Sequence, residues 1–132
     1  MLPVYICEDE PEIRAAQREY LEKLILIEGY DMEIVMCSGH PEDIVEAVKE
    51  SPGRGIYFLD IELRGESMDG FGLGKEIRKL DSRGFLIYVT AFQDLAFETF
   101  RYHLEALDYI CKQDRTKMFA DISRCLKAVT ER

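Results

Sequence analysis

Short runs in which nearly every position is apolar alternate along the chain with longer stretches in which apolar residues recur every three or four positions. The runs "LPVYICE" at 2–8, "MEIVMCS" at 32–38, "GIYFLD" at 55–60, "FLIYVT" at 85–90 and "ALDYICK" at 106–112 have the length and the β-branched or aromatic content of strands. Those at 55–60 and 85–90 are apolar almost throughout instead of alternating, which predicts burial on both faces. Between the runs the period is helical. Residues 12–28 carry a stripe of Ile13, Ala16, Tyr20, Leu24 and Ile27 behind Pro11, a residue suited to a first turn. The stretch 41–51 opens on a proline and closes before Pro52 and Gly53. Further helices are predicted over 70–80 with Leu73, Ile77 and Leu80 inward, over 94–103, and over 115–130 with Met118, Phe119, Ile122, Leu126 and Val129 on one side.

Five β-then-α units follow one another with no linker, repeat or low-complexity tract. Parallel strands joined by helices require right-handed crossovers and a sheet covered on both faces. The prediction is therefore α/β: one domain over 1–132 with a five-stranded, parallel, doubly wound sheet. In such sheets the functional crevice lies at the carboxyl ends of the strands.

Those ends carry Glu8 and Asp9 after the first strand, Asp60 after the third, Thr90 after the fourth and Lys112 after the fifth. Each alone reads as a cap or a solvated charge; together they would share one crevice. Carboxylates packed together repel by about 4 kcal/mol per pair at 4 Å in an effective dielectric near 20, so they call for a cation. Oxygen ligands without nearby His or Cys favour Mg²⁺, with Mn²⁺ as the alternative. One carboxylate is then left to act as a nucleophile on phosphorus, while a hydroxyl and an ammonium bind the remaining phosphoryl oxygens.

The bulk composition narrows the partners. The 132 residues fit one core, and a 47% hydrophobic, 33% charged composition is that of an ordinary globular protein. A net charge of −9 would repel a nucleic-acid backbone or an anionic membrane, so DNA binding by this chain itself is not expected. The four cysteines, Cys7, Cys37, Cys111 and Cys125, include no close pair and follow no signal peptide, which reads as reduced thiols in a cytoplasmic protein. No apolar stretch approaches the roughly 20 residues of a membrane span. His40 and His103 have no carboxylate or Ser partner at an informative spacing and read as surface residues.

The same residues resemble the receiver domains of two-component response regulators over essentially the whole chain. "ICEDEP" is similar to that family's acidic pair, "FLDIEL" to its phosphoacceptor strand, "VTA" to its switch threonine and "ALDYICK" to its fifth strand with aromatic and lysine. The resemblance implies a CheY-like fold with strand order 2-1-3-4-5, a phosphoryl group accepted by Asp60 from a sensor histidine kinase, and phosphoryl contacts from Thr90 and Lys112. It further implies Mg²⁺ held by Glu8, Asp9, Asp60 and the backbone carbonyl of Glu62, with Tyr109 as the switch aromatic. "ICEDEP", "YFLDIEL" and "LGKEIRK" are close to the branch joined to a LytTR-type DNA-binding domain, as in the AgrA and ComE regulators. That places DNA contact and transcriptional output in an effector domain outside this chain. It also implies a phosphorylation-dependent homodimer through 94–103, 106–112 and 115–130, to which Phe97, Phe100, Arg101, Tyr102 and His103 would contribute.

Two departures bear on loop geometry: Gln113 replaces the family's proline after the lysine, and "ELRGESMDG" lacks the usual Met-Pro and reaches Gly70 late. Two other readings stay open. One is a pseudo-receiver that serves as a constitutive interaction module. The other is a haloacid-dehalogenase-like phosphatase, although "DIE" puts Glu62 where that family's second aspartate belongs. A dinucleotide-binding domain fails for want of a G-x-G-x-x-G after the first strand.

Overall fold

In the computed structural model, which describes residues 1–51, 53–91 and 104–132, a five-stranded parallel sheet runs in the order β2-β1-β3-β4-β5. Its strands are β1 (Leu2–Cys7), β2 (Met32–Ser38), β3 (Ile56–Leu59), β4 (Phe85–Thr90) and β5 (Asp108–Cys111). The described helices are α1 (Pro11–Glu28), α2 (Pro41–Glu50), α3 (Gly70–Leu80) and α4 (Arg115–Thr130). The helix expected at 94–103, with the aromatic and charged residues expected to form a dimer contact, lies outside the described residues.

Strand pleating sends successive side chains to opposite faces, and this divides the core in two. Val4, Ile6, Phe58, Ile87 and Val89 pack with Leu21 of α1 and with Met118, Ile122 and Leu126 of α4. Tyr5, Cys7, Tyr57, Leu59, Leu86 and Tyr88 pack with Ile44 and Val48 of α2 and with Leu73 and Ile77 of α3. Every residue of β3 and β4 is buried, as their unbroken apolar runs predict.

Two helix stripes differ from expectation. On α1 the fully buried positions are Gln17 and Leu21, whereas Ile27 is 78% exposed. Leu24 and Ile25 turn toward the core and pack against it, which leaves Leu26 and Ile27 on the solvent side of the helix. Leu80, the final residue of α3, is 45% exposed because it sits where the helix stops. Asp69 caps α3 by accepting from the Gly72 N–H at 2.8 Å, and Asp114 likewise caps α4.

Candidate functional site

The hydrogen-bond ladder carries the predicted residues past the strand ends into one crevice. The Glu8 N–H donates to the Ser38 carbonyl at 3.0 Å, that of Asp60 to Cys7 at 2.9 Å and that of Lys112 to Thr90 at 3.0 Å. Side chains from β1, β3, β4 and β5 therefore meet. A cavity of ≈ 220 Å³ opens there, lined among others by Asp9, Glu10, Asp60, Glu62, Thr90 and Lys112.

Glu8, Asp9 and Asp60 each offer a carboxylate oxygen within 4.8 Å of the others. The Glu8 and Asp60 side chains are only 1% exposed, and their charge is met by Lys112, whose Nζ lies 2.8 Å from Asp60 Oδ2 and 3.1 Å from Glu8 Oε2. Lys112 also reaches Glu10 Oε2 at 3.3 Å. One ammonium thus serves several carboxylates.

The titration of these groups reflects that shortage of positive charge. Burial, then the neighbouring Asp60 charge, pushes Glu8 up to about 8, against the pull of Lys112. Burial also raises Asp60, although hydrogen bonding and charge from Lys112 oppose it. For Lys112 burial works against the ammonium, but the hydrogen bond and charge of Asp60, followed by Glu8, outweigh it and hold the group above its ordinary value. Asp9, less enclosed, ends below the usual carboxylate range: burial raises it, but hydrogen bonds, including one from the Arg64 N–H at 3.3 Å, more than offset that. Burial thus favours the protonated form of both Glu8 and Asp60, against the pull of Lys112. Hard oxygen donors short of a cation fit a divalent ion such as Mg²⁺, whose charge would offset the cost of burying them.

Asp60 is fixed from below and behind. Its Oδ1 accepts the Glu62 N–H at 3.2 Å, and Gly70 at the start of α3 donates its N–H to the Ile61 carbonyl at 2.8 Å. A Cβ on Gly70 would fall onto the Asp60 carbonyl oxygen, so only glycine lets α3 begin this close to β3. Thr90 is fully buried at the cavity wall. Tyr109 on β5 is half-buried and stacks on Tyr88, with centroids 5.7 Å apart and planes 15° from parallel.

Comparison with known proteins decides the family. The sequence profile of the response regulator receiver domain matches residues 4–123. The chain belongs to that family. Accessory gene regulator protein A of Staphylococcus aureus is 36% identical over 131 residues, which is 99% of this chain and 55% of the relative. The Staphylococcus epidermidis protein of the same name is 34% identical over the same span. This receiver thus spans about half the length of these relatives. Among solved structures, the response regulatory domain of protein mrkE from Klebsiella pneumoniae is 31% identical, with a TM-score of 0.75 over 98% of this chain and 96% of that one. Receivers of this CheY-like kind act on their own phosphorylation state and are not general enzymes, which sets aside the phosphatase reading.

The sequence reading missed several residues of the receiver's crevice. Gln17, 1% exposed on α1, donates to Glu8 Oε1 at 3.4 Å; the apolar stripe chosen for that helix hid it. Arg14 donates to the Glu8 carbonyl at 2.8 Å, three positions earlier on the same side. Glu10, read only as part of "DEP", reaches Lys112. His40 is exposed as expected, but it does have a carboxylate partner: its Nδ1 lies 2.5 Å from Glu66 Oε1, across 26 positions of sequence. The loop 63–69 bends at Gly65, with φ 75°, and brings Glu66 against that histidine. All four cysteines are free, and no described helix is long and apolar enough to cross a membrane.

Proposed function

We propose that this receiver accepts a phosphoryl group on Asp60, in a reaction that depends on Mg²⁺ or Mn²⁺, and that a sensor histidine kinase is the donor. The observation that carries the reading is the placement of Asp60: a carboxylate withdrawn from water, on the wall of an accessible cavity, and held at 2.8 Å by an ammonium. An Asp60 oxygen forms the new P–O bond while the donor's P–N bond breaks, and the departing imidazole keeps the electron pair and takes a proton from water. Glu8, Asp9, Asp60 and the Glu62 carbonyl would hold the divalent ion, which would supply charge neutralisation. Lys112 is already beside Asp60 and passes its ammonium to a phosphoryl oxygen. The Thr90 hydroxyl binds another, and Tyr109 shifts toward the space this vacates.

The output follows from the relatives. They are gene regulators by name, and this chain corresponds to about half of their length. A LytTR-type DNA-binding segment, switched by a dimer contact through β5, α4 and the segment 94–103, is the output we assign. The dimer is checked by sedimentation with and without Mg²⁺ and beryllofluoride.

The phosphoryl reading is tested by incubating the chain with Mg²⁺ and a small phosphodonor and measuring intact mass. One phosphoryl group is expected, none with Asp60→Asn and none with a chelator present. A wild-type chain that stays unmodified would make the constitutive interaction module the better reading.

A further inference from the structure

At the opposite end of the sheet, where the strands begin, Arg54, Arg78, Arg83 and Arg132 line one cleft of ≈ 380 Å³. We propose that this cleft is a binding site for an oligophosphate, the di- or triphosphate chain of a small anionic ligand.

The first support is that the fold builds the site. Arg78, half-buried on α3, donates to the Leu104 carbonyl through Nε at 2.9 Å and Nη2 at 2.7 Å, and to the Gly84 carbonyl through Nη1 at 2.6 Å. Arg54 donates Nε to the Arg83 carbonyl at 2.5 Å and lies 4.0 Å over the Phe85 ring. These contacts fix two guanidinium groups in space, and all of them go to uncharged partners.

The second support is electrostatic. Among the described residues the ion-paired arginines are Arg18 and Arg124, and none of these four. The carboxylates that face Arg78 are Asp81 and Glu105. Asp81 is already occupied, accepting from the Gly55 N–H and the Tyr57 hydroxyl, both at 2.8 Å. Glu105 stands exposed at the rim. Burial holds Arg78 below its ordinary value against the opposing charges of Asp81 and Glu105. In a chain of net charge −9 this is a local reversal of field, and it calls for an anion.

The ligand class follows from the donors. Guanidinium forks match the paired oxygens of phosphate, and the Nη groups of Arg54 with the whole of Arg83 and Arg132 remain to be used. Three forks line a cleft of ≈ 380 Å³, which has room for more than one phosphoryl group. The one aromatic ring there, Phe85, is 6% exposed and covered by Arg54, so it offers no platform for a base. Recognition therefore rests on the phosphate chain.

Calorimetry with inorganic tripolyphosphate, in buffer with a chelator and no divalent ion, tests the site. One equivalent is expected to bind. Affinity should fall at least tenfold in the double variant R83A/R132A, and in R83E alone, with melting temperatures unchanged because both residues are exposed. Asp60→Asn should bind as the wild type does. Absence of binding heat, equal affinity in the arginine variants, or equally tight binding of an oligo-glutamate peptide of matched charge would overturn the assignment.

Discussion

The two ends of this sheet solve opposite electrostatic problems. At the carboxyl end, buried carboxylates converge on one lysine, and burial pushes both Glu8 and Asp60 toward their protonated forms. At the amino end, arginines converge, yet their hydrogen bonds end on carbonyl oxygens, and the carboxylates that face Arg78, Asp81 and Glu105, form no ion pair with it. The difference lies in burial. Glu8 and Asp60 are almost wholly withdrawn from water, so their charges interact strongly with each other and with Lys112, whereas Arg83 and Arg132 remain solvated. Substitutions at the first end should disturb folding and chemistry together; those at the second should disturb binding alone.

The largest expected effect comes from removing the shared cation. Lys112→Ala leaves Glu8, Glu10 and Asp60 facing one another without an ammonium, and loss of one partner of a buried pair costs about 3 kcal/mol or more. Urea denaturation without divalent ions should show that loss, and Mg²⁺ should restore more stability to the variant than to the wild type. An unchanged midpoint would mean that the carboxylates do not depend on Lys112.

Next in size is Gly70→Ala. The new methyl meets the Asp60 carbonyl, and overpacking at a rigid backbone contact costs about 2 kcal/mol. The midpoint should fall and phosphodonor labelling should fall with it, because α3 can retreat only by shifting Asp60. Arg83→Ala at the other end is the counterpart: within about 0.5 kcal/mol of wild type by the same denaturation, with labelling intact.

The smallest effect concerns His40. Its hydrogen bond and ion pair with Glu66 raise its pKa above 6.5. The pairing therefore contributes stability below the unfolded value near 6.5, and that contribution is lost as pH rises through the folded value. Titration of the His40 ring by NMR should show a raised midpoint that returns toward 6.5 in Glu66→Gln. A midpoint that does not move would show that the loop 63–69 is not held by this contact.

How much of this was legible in the sequence depended on range. Asp60 and Lys112 could be found because each ends an apolar run, and a strand delivers its terminal residue to the sheet's crevice. The five strands and their order followed from the same alternation and from the receiver resemblance. Gln17 was not legible, because a polar residue at a buried helix position breaks the apolar stripe and is explained only by the carboxylate it meets. Ile27 kept a three-residue spacing from Leu24 but falls off the face that Leu21, Leu24 and Ile25 turn to the core, and Leu80 sits where α3 stops. The arginine cleft left no local signal: its four residues come from separate segments that only the fold brings together.

The central claim is that Asp60, among the three clustered carboxylates, is the one that takes the phosphoryl group. Borohydride reduces an acyl phosphate to the alcohol and leaves a free carboxylate untouched. After treatment with Mg²⁺ and a phosphodonor, peptide mapping of the reduced chain should find homoserine at position 60 and intact acids at Glu8 and Asp9. Reduction at Glu8 or Asp9 with Asp60 intact would contradict the account.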